Sequence, residues 1–140
     1  MPRILLSLFL GILLIGCKNV VTEEDLTLLN GYWEIEKVTF PNGEAKDYNV
    51  NTTIDFIEIE ALKGYRKKLH PKFDGTYDAT DDAVLFSVRE TDGLYSIYYS
   101  SALEEWKEDL IALQEHNFTI MTPEGVLYTY RRYQSININP

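Results

Sequence analysis

The sequence predicts an all-β protein, an antiparallel meander of about eight short strands that forms a barrel or a sandwich. Three observations predict it. The chain holds ten Tyr, six Phe and two Trp, and aromatic side chains suit the pleated, half-buried surface of a strand. Apolar and polar residues alternate, most clearly from Val84 to Arg89. Turn signals such as Asp74-Gly75 and Asp92-Gly93 separate these runs at short intervals.

The composition is that of one ordinary globular domain. A chain of 140 residues suits one domain, and its hydrophobic content of 45% and charged content of 25% are typical of globular proteins. The formal net charge of −9 argues against nucleic acid as a partner, because phosphate groups would be repelled. A single cysteine excludes a disulfide within the chain and a cysteine-rich metal site.

Residues 1–16 have the features of a signal peptide. Arg3 gives the positive end, and Ile4 to Ile15 form an apolar run of signal-peptide length. The run is too short for a helix across a bilayer core, which takes about 20 residues. It ends in Leu14-Ile15-Gly16-Cys17, which resembles the lipobox of bacterial lipoproteins. That resemblance implies cleavage before Cys17, a diacylglycerol on its thiol, and often an acyl chain such as palmitate on its amine.

The mature chain is predicted to have three parts. Residues 17–25 form the lipidated N-terminus and a tether, residues 26–134 form the β domain, and residues 135–140 form a C-terminal tail. Several acyl chains hold a protein firmly on a membrane, so the membrane is an expected partner. Lys18 follows the cysteine, and the absence of Asp there implies delivery to the outer membrane, on either its periplasmic or its exposed face.

Local patterns predict the first elements of the β domain. Thr22 to Asp25 reads as a helix start, with a hydroxyl cap and acidic residues in the first turn, and Asn30-Gly31 ends the helix after one or two turns. Strands begin at Tyr32. The apolar phase changes between Ile35 and Val38, which predicts a bulge near Glu36-Lys37.

The stretch from Ser101 to Gln114 fits two structures. The residues at helical spacing are Leu103, Trp106, Leu110 and Leu113. The run from Asp109 to Leu113 also fits a buried strand. A strand is favoured, because the meander needs an element here to connect its neighbours.

The start of the first strand resembles a known family. A short helical turn followed by Gly31-Tyr32-Trp33, a G-x-W motif, and then by a single meander resembles the lipocalins and related calycin barrels, in particular the lipocalin-like lipoproteins of Bacteroidetes-type bacteria. The resemblance implies an up-and-down barrel of about eight strands. It also implies that Trp33 packs at the closed end beside Gly31, under an arginine from the last strand. Arg131 and Arg132 both lie at the matching end, and Arg132 is favoured.

No residue pattern indicates catalysis, a metal or a cofactor, and the chain is predicted not to be an enzyme. His70 and His116 are expected in exposed loops, as is the basic patch Arg66-Lys67-Lys68 with Lys72. No G-x-S-x-G nucleophile motif occurs. The four aspartates between Asp74 and Asp82 lack the spacing of a calcium loop and are expected in a solvated turn.

The aromatic strands are the candidate ligand site. The residues expected to line it are Tyr95, Tyr99, Tyr128 and Tyr130. They can line a cavity for a small hydrophobic or amphipathic ligand, or they can fill the barrel as core. The leading hypothesis is a membrane-anchored lipocalin-like protein that binds such a ligand. The alternative is a solid barrel whose surface docks a protein of the cell envelope.

Overall fold

The computed structural model describes residues 20–79 and 82–135. The predicted signal peptide, Cys17 and residues 136–140 lie outside these ranges. A 3₁₀ helix, Glu24–Leu29, comes first. The strands that follow are β1 Gly31–Thr39, β2 Ala45–Asp47, β3 Ile54–Glu60, β4 Lys63–Pro71, β5 Tyr77–Ala79, β6 Val84–Thr91, β7 Leu94–Ser100, β8 Glu105–Leu113, β9 Asn117–Met121 and β10 Leu127–Arg132.

Eight of these strands close into an antiparallel barrel. They pair in the order β1, β3, β4, β6, β7, β8, β9 and β10, and β10 returns to pair with β1 from Trp33↔Arg132 to Thr39↔Leu127. The short β2 pairs with the second half of β1, and the short β5 pairs with the end of β4. The predicted all-β, up-and-down barrel of about eight strands, preceded by a helical turn, is therefore confirmed.

The helical turn closes one end of the barrel. The Asp25 amide donates to Thr22 Oγ1 over 3.3 Å, and the Thr22 amide donates to Asp25 Oδ2 over 2.9 Å, which satisfies two free donors at the helix start. Leu26 and Leu29 are buried and join the barrel core. Within the described ranges, no helix has the length and apolar character needed to cross a membrane.

Two bulges explain the ambiguous strand patterns. The register of β1 against β10 shifts between Ile35 and Lys37, so the predicted bulge is confirmed. Residues 105–113 form β8, as favoured, and its register against β9 shifts between Leu110 and Ala112. The extra residue brings Leu110 and Leu113 to the same buried face, although they are three positions apart. Helix-like spacing in this segment therefore comes from a bulged strand.

The half of the barrel next to the helix is filled with side chains. Trp33 and Phe118 are essentially unexposed and make an edge-to-face contact with 4.7 Å between ring centroids. Tyr130 stacks on Phe118 at 4.7 Å. The other buried members of this core are Leu26, Leu29, Ile57, Ile59, Phe86, Val88, Tyr95, Ile97, Tyr99, Leu110, Leu113 and Ile120.

The prediction that Arg66-Lys67-Lys68 lie in a loop is wrong, because these residues lie within β4. His70 also lies on β4, not in a loop, and remains exposed. The turn that joins β3 to β4 is Ala61-Leu62, with φ angles of 47° and 70°. Such two-residue hairpin turns usually contain Asn or Gly, so this turn carries no sequence signal. Without such a signal, no local pattern marks the basic run as part of a strand.

Candidate functional site

A charged layer crosses the barrel interior, with Arg66 at its centre. Arg66 Nη2 lies 3.1 Å from Asp55 Oδ2. Its Nη1 donates to the Tyr99 hydroxyl over 3.0 Å, and its Nη2 donates to the Tyr130 hydroxyl over 2.8 Å. Asp55 is only 2% exposed. A buried ion pair of this kind is costly to desolvate unless further hydrogen bonds complete it, and here the two tyrosines supply them.

Two more charged side chains extend this layer. Lys68 Nζ lies 2.8 Å from Asp55 Oδ1, and its side chain is 55% exposed. Glu108 Oε2 lies 3.8 Å from Arg66 Nη1, which is too long for a hydrogen bond. Among the described residues, this buried oxygen has no hydrogen-bond partner. Asp55 Oδ1 is also without a hydrogen bond of good geometry, but Lys68 Nζ lies 2.8 Å from it, whereas the cation nearest to Glu108 Oε2 is 3.8 Å away.

The two carboxyl groups of the layer are shifted in opposite directions. Burial acts to raise the pKa of Asp55, but the charges and hydrogen bonds of Arg66 and Lys68 outweigh it and hold that pKa below its usual value. Burial raises the pKa of Glu108, and the charge of Arg66 and a hydrogen bond with Tyr99 do not cancel the effect. Asp55 thus stays a carboxylate, while Glu108 holds a proton more tightly than an exposed glutamate does.

In the half of the barrel away from the helical turn, called the open half below, several inner side chains are partly exposed. Opposite pairs across the strands place Ile35 with Tyr130, Val84 with Arg66, and Trp106 with Tyr99 on the inner face. The partly exposed inner side chains are Ile35, Val84, Trp106 and Tyr128. Trp106 stacks on Tyr99 with 5.2 Å between centroids. These apolar and aromatic side chains lie on the inner face next to the charged layer.

A separate cleft of about 750 Å³ lies on the outer wall, within the usual size range of small-molecule sites. The loop between β2 and β3, the turn after β4 and the end of β10 border it. Its lining residues are Glu34, Asn49, Val50, Asn51, Thr52, Pro71, Lys72, Phe73, His116, Arg131, Arg132, Tyr133 and Gln134.

Hydrogen bonds hold the β2–β3 loop against the barrel at this cleft. Asn51 Nδ2 donates to the Ile35 carbonyl over 2.9 Å and lies 3.3 Å from Glu34 Oε2. Arg131 Nε donates to Glu34 Oε1 over 2.8 Å, and its Nη2 donates to the Asn49 carbonyl over 3.2 Å. These hydrogen bonds therefore hold the β2–β3 loop in place as one wall of the cleft.

At the closed end, Arg132 lies over Trp33. Its guanidinium carbon is 3.8 Å from the centroid of the indole ring, and the indole Nε1 donates to the Leu29 carbonyl over 2.8 Å. A Cβ atom at Gly31, where φ is 122°, would stand 2.7 Å from Arg132 Nη1, so a side chain there would collide with the guanidinium. Arg131 points to the other face, toward Glu34.

Three of the four candidate tyrosines are core residues. Tyr95, Tyr99 and Tyr130 are at most 8% exposed, and the last two bind Arg66 through their hydroxyls. Tyr128 is partly exposed on the inner wall of the open half. None of these four tyrosines lines the outer cleft.

The other residues considered for chemistry are dispersed. His116 borders the outer cleft, and His70 Nδ1 lies 3.3 Å from Thr53 Oγ1. Asp74 accepts hydrogen bonds from Thr76 in the turn before β5, Asp78 pairs with Lys72 at 2.9 Å, and Asp81 lies outside the described residues. Within the described parts of the chain, no three His, Cys, Asp or Glu side chains are grouped to hold a metal ion.

Comparison with known proteins finds similarity only at the level of structure. No protein-family model matches the chain, and no curated protein matches it. A solved structure described as a lipocalin-like protein from Bacteroides uniformis is 12% identical, with a TM-score of 0.48, over 76% of this chain and 99% of its own. An uncharacterized protein from Bacteroides eggerthii is 14% identical, with a TM-score of 0.47, over 75% of this chain and 99% of its own.

The chain has a lipocalin-like barrel fold by its own geometry. The strands close through β1 and β10, a helical turn covers one end, and Arg132 lies on Trp33 of the G-x-W motif.

The charged layer is the feature that the sequence analysis missed. Its signal was present, because Asp55 alternates in phase with Ile57 and Ile59, and all three are buried. A carboxylate on a buried face requires a cation, and β4 supplies Arg66 opposite Ile57 and Lys68 opposite Asp55.

Proposed function

We propose that this chain is a lipid-anchored, lipocalin-like protein of the outer membrane that binds a small amphipathic ligand in the open half of its barrel. The observation that carries the proposal is the buried Glu108 Oε2, which has no hydrogen-bond partner among the described residues. A buried acceptor left unpaired costs about 1–3 kcal/mol. A ligand that donates a hydrogen bond at this position would remove that cost.

The charges around Glu108 favour a ligand with a protonated amine. Asp55 already pairs with both Arg66 and Lys68, whereas Glu108 is 3.8 Å from its nearest cation. The net charge of −9 attracts cations to the protein and repels anions. The partly exposed rings of Trp106 and Tyr128 can pack against an apolar body and interact favourably with a cation.

Three probes with a similar phenyl body and different head groups test this ligand class. They are 2-phenylethylammonium, neutral 2-phenylethanol and anionic 3-phenylpropionate, titrated into the full chain by calorimetry and followed by tryptophan fluorescence. We expect one ammonium ion per chain, bound about tenfold or more tightly than the alcohol, and the weakest binding from the carboxylate. Trp106 should report the binding, because Trp33 is buried at the closed end. Equal affinity for all three probes would overturn the proposal.

A pair of glutamate variants on β8 locates the site. Glu108→Gln removes the charge with little change in shape, so the affinity for the ammonium probe should fall about tenfold while that for the alcohol changes little. Glu105→Gln makes the same change at an exposed position of the same strand and should leave both affinities unchanged. An equal loss in the two variants would mean that the barrel interior does not hold the amine.

The membrane anchor is proposed from the resemblance of residues 14–17 to a lipobox. If Cys17 is lipidated, the protein should fractionate with the outer membrane, and the mass of its N-terminal peptide should include the acyl groups. Cys17→Ser should release the protein from the membrane fraction. An unmodified Cys17 in the membrane-bound protein would contradict this part of the proposal.

A second candidate function is docking of a cell-envelope protein, and one surface feature favours it. Leu103 is 96% exposed and Leu85 is 65% exposed, and Leu85 pairs with Ser100 close to the turn that carries Leu103. Exposed apolar patches often mark interaction sites. Crosslinking in membranes should then capture a partner that is lost on Leu85→Ser with Leu103→Ser, and amine binding should be unaffected by that change.

A further inference from the structure

The outer cleft is bordered by a guanidinium whose hydrogen-bond acceptors are all backbone carbonyl groups. Arg132 Nε donates to the Glu115 carbonyl over 2.8 Å, Nη2 donates to the Leu28 carbonyl over 2.6 Å, and Nη1 donates to the Asn30 carbonyl. All three acceptors are uncharged. Among the described residues, no carboxylate oxygen lies within ion-pair distance of Arg132. Burial lowers the pKa of Arg132, against the opposing charge of Glu115.

The other charged groups at the cleft are neutralised in pairs. Arg131 pairs with Glu34 at 2.8 Å, and Lys72 pairs with Asp78 at 2.9 Å. Within the described ranges, the charge of Arg132 is opposed only by Glu115, whose carboxylate lies beyond ion-pair distance. In a chain with a net charge of −9, the lining of this cleft is locally cationic, with Lys72, Arg131 and Arg132 beside one carboxylate, Glu34.

Apolar groups lie beside this charge. Phe73 is 87% exposed and Val50 is 79% exposed, which are unusual values for large apolar side chains. Tyr133, also at the cleft, makes an edge contact with Tyr77 at 6.3 Å, and Tyr77 stacks on Tyr32 at 5.2 Å. These contacting rings on the outside of the barrel thus reach the cleft at Tyr133.

We propose that the outer cleft binds a small anionic amphiphile, whose acidic head faces Arg132 and whose apolar body covers Phe73, Val50 and Tyr133. The charge of Arg132 favours an anionic head group. The exposed apolar side chains favour an apolar body that would remove them from water. The volume of about 750 Å³ accommodates a molecule of two or three rings. The site is separate from the barrel interior and does not depend on the function proposed above.

Two fluorescent probes that share one ring system test the proposal. The anion 8-anilinonaphthalene-1-sulfonate carries a sulfonate that neutral N-phenyl-1-naphthylamine lacks. Titrated into the full folded chain, the sulfonate probe should bind with one molecule per chain and about tenfold more tightly than the neutral probe. Salt should weaken its binding, because part of the affinity is electrostatic. Equal affinity of the two probes would overturn the recognition of an anion.

Variants of exposed apolar residues locate the bound probe. Phe73→Ala should lower the affinity for both probes by a similar factor of about five, because it removes contact with the shared rings. Leu103→Ala is the matched control, since Leu103 is 96% exposed and does not line the cleft, and it should change neither affinity. Equal effects of these two substitutions would show that the probes bind elsewhere.

A substitution of Arg132 tests the role of its charge, and a substitution of Glu108 tests whether the probe binds inside the barrel instead. Arg132→Gln should lower the affinity for the sulfonate probe to that for the neutral probe, provided that circular dichroism shows a folded barrel. If this variant does not fold, the ratio of the two affinities in the unaltered chain and the effect of Phe73→Ala decide whether the outer cleft binds the anion. Glu108→Gln should leave sulfonate binding unchanged, and a loss there would place the probe inside the barrel and overturn the proposal.

Discussion

Arg66 and Asp55 form an ion pair inside the barrel, with 3.1 Å between Nη2 and Oδ2. They lie on neighbouring strands, β4 and β3, and the register places Arg66 opposite Ile57 and Asp55 opposite Lys68. The guanidinium also joins two core tyrosines across the barrel, Tyr99 and Tyr130. The pair therefore connects β3, β4, β7 and β10 at one level of the interior.

Removal of Arg66 should be strongly destabilising. Arg66→Ala leaves the Asp55 carboxylate buried with only Lys68 beside it, and a buried charge that loses its partner typically costs about 3–5 kcal/mol. We expect the free energy of unfolding in urea to fall by that amount. Lys67→Ala is the control, because Lys67 is the next residue on β4 and faces the other side, and its loss should be small.

A double variant separates the cost of the lost partner from the value of the pair. Arg66→Met with Asp55→Leu replaces both charges by apolar groups, and such replacements are often neutral or stabilising. Its unfolding free energy should recover most of the loss seen in Arg66→Ala. A double variant as unstable as the single one would mean that the pair itself, with its tyrosines, supplies the stability.

The two adjacent arginines of β10 should differ sharply in their effect on stability. Arg132 lies on the Trp33 ring and donates to three carbonyls at the closed end. Hydrogen bonds from charged groups contribute about 1.5–3 kcal/mol each, so Arg132→Ala should cost at least about 2 kcal/mol in urea unfolding.

The matched substitution is Arg131→Ala. Arg131 is one-third exposed and pairs with Glu34, and partly exposed ion pairs contribute about 0–1 kcal/mol. Arg132→Lys should recover little, because an ammonium cannot reproduce the planar set of donors. Equal losses from Arg131→Ala and Arg132→Ala would contradict the assignment of Arg132 as the closing residue.

The shifted carboxyl groups predict opposite effects of pH on stability. Glu108 has a pKa raised above 4.5 in the folded chain, so the folded state holds its proton more tightly than the unfolded state. Its contribution is fully present below 4.5 and is lost as pH rises through the folded pKa. Asp55 has a pKa lowered below 3.8, so its contribution is present above 3.8 and is lost as pH falls through the folded pKa.

Measurements of unfolding free energy across pH test the two groups. Relative to Glu108→Gln, the unaltered chain should lose stability as pH rises above 4.5. Relative to Asp55→Asn, it should lose stability as pH falls below 3.8. Glu105→Gln is the control on β8, and its profile should match that of the unaltered chain. The same slope above 4.5 in Glu108→Gln as in the unaltered chain would contradict the raised pKa.

Much of the barrel could be predicted from the sequence, because most of its signals are local. Alternation from Val84 to Arg89, glycine turns such as Asp92-Gly93 and the phase change near Glu36 each report on a few adjacent residues. The place of Arg132 over Trp33 followed from the family resemblance, because the register of β10 against β1 joins residues far apart in the chain.

The charged layer has one local signal, the phase of Asp55 with Ile57 and Ile59, but its cation could not be predicted in the same way. Arg66, Lys67 and Lys68 are consecutive, and three adjacent charges indicate a solvated loop when no strand partner is recognised. The register of β3 against β4 decides the matter, and the turn that sets it, Ala61-Leu62, lacks the usual residues. The outer cleft depends on three segments far apart in the sequence, so no local pattern reports it.

The unusual turn makes a final prediction about stability. Ala61 and Leu62 both have positive φ angles, 47° and 70°, and this left-handed conformation costs a residue with a Cβ about 1–2 kcal/mol. Leu62 also packs against the core, so its side chain offsets part of that cost. Ala61 is exposed and gains nothing comparable. Ala61→Asn should therefore raise the unfolding free energy by about 0.5–1 kcal/mol, since Asn tolerates this conformation.

Two comparisons make this prediction specific. Ala61→Val should lower stability, because a β-branched residue is poorly tolerated at positive φ. Leu62→Gly relieves the backbone but removes packing, so its effect on urea unfolding should be less favourable than that of Ala61→Asn. If Ala61→Asn and Ala61→Val change stability equally, the backbone at residue 61 is not in the left-handed region, and the register of β3 against β4 would need to be set by a different turn.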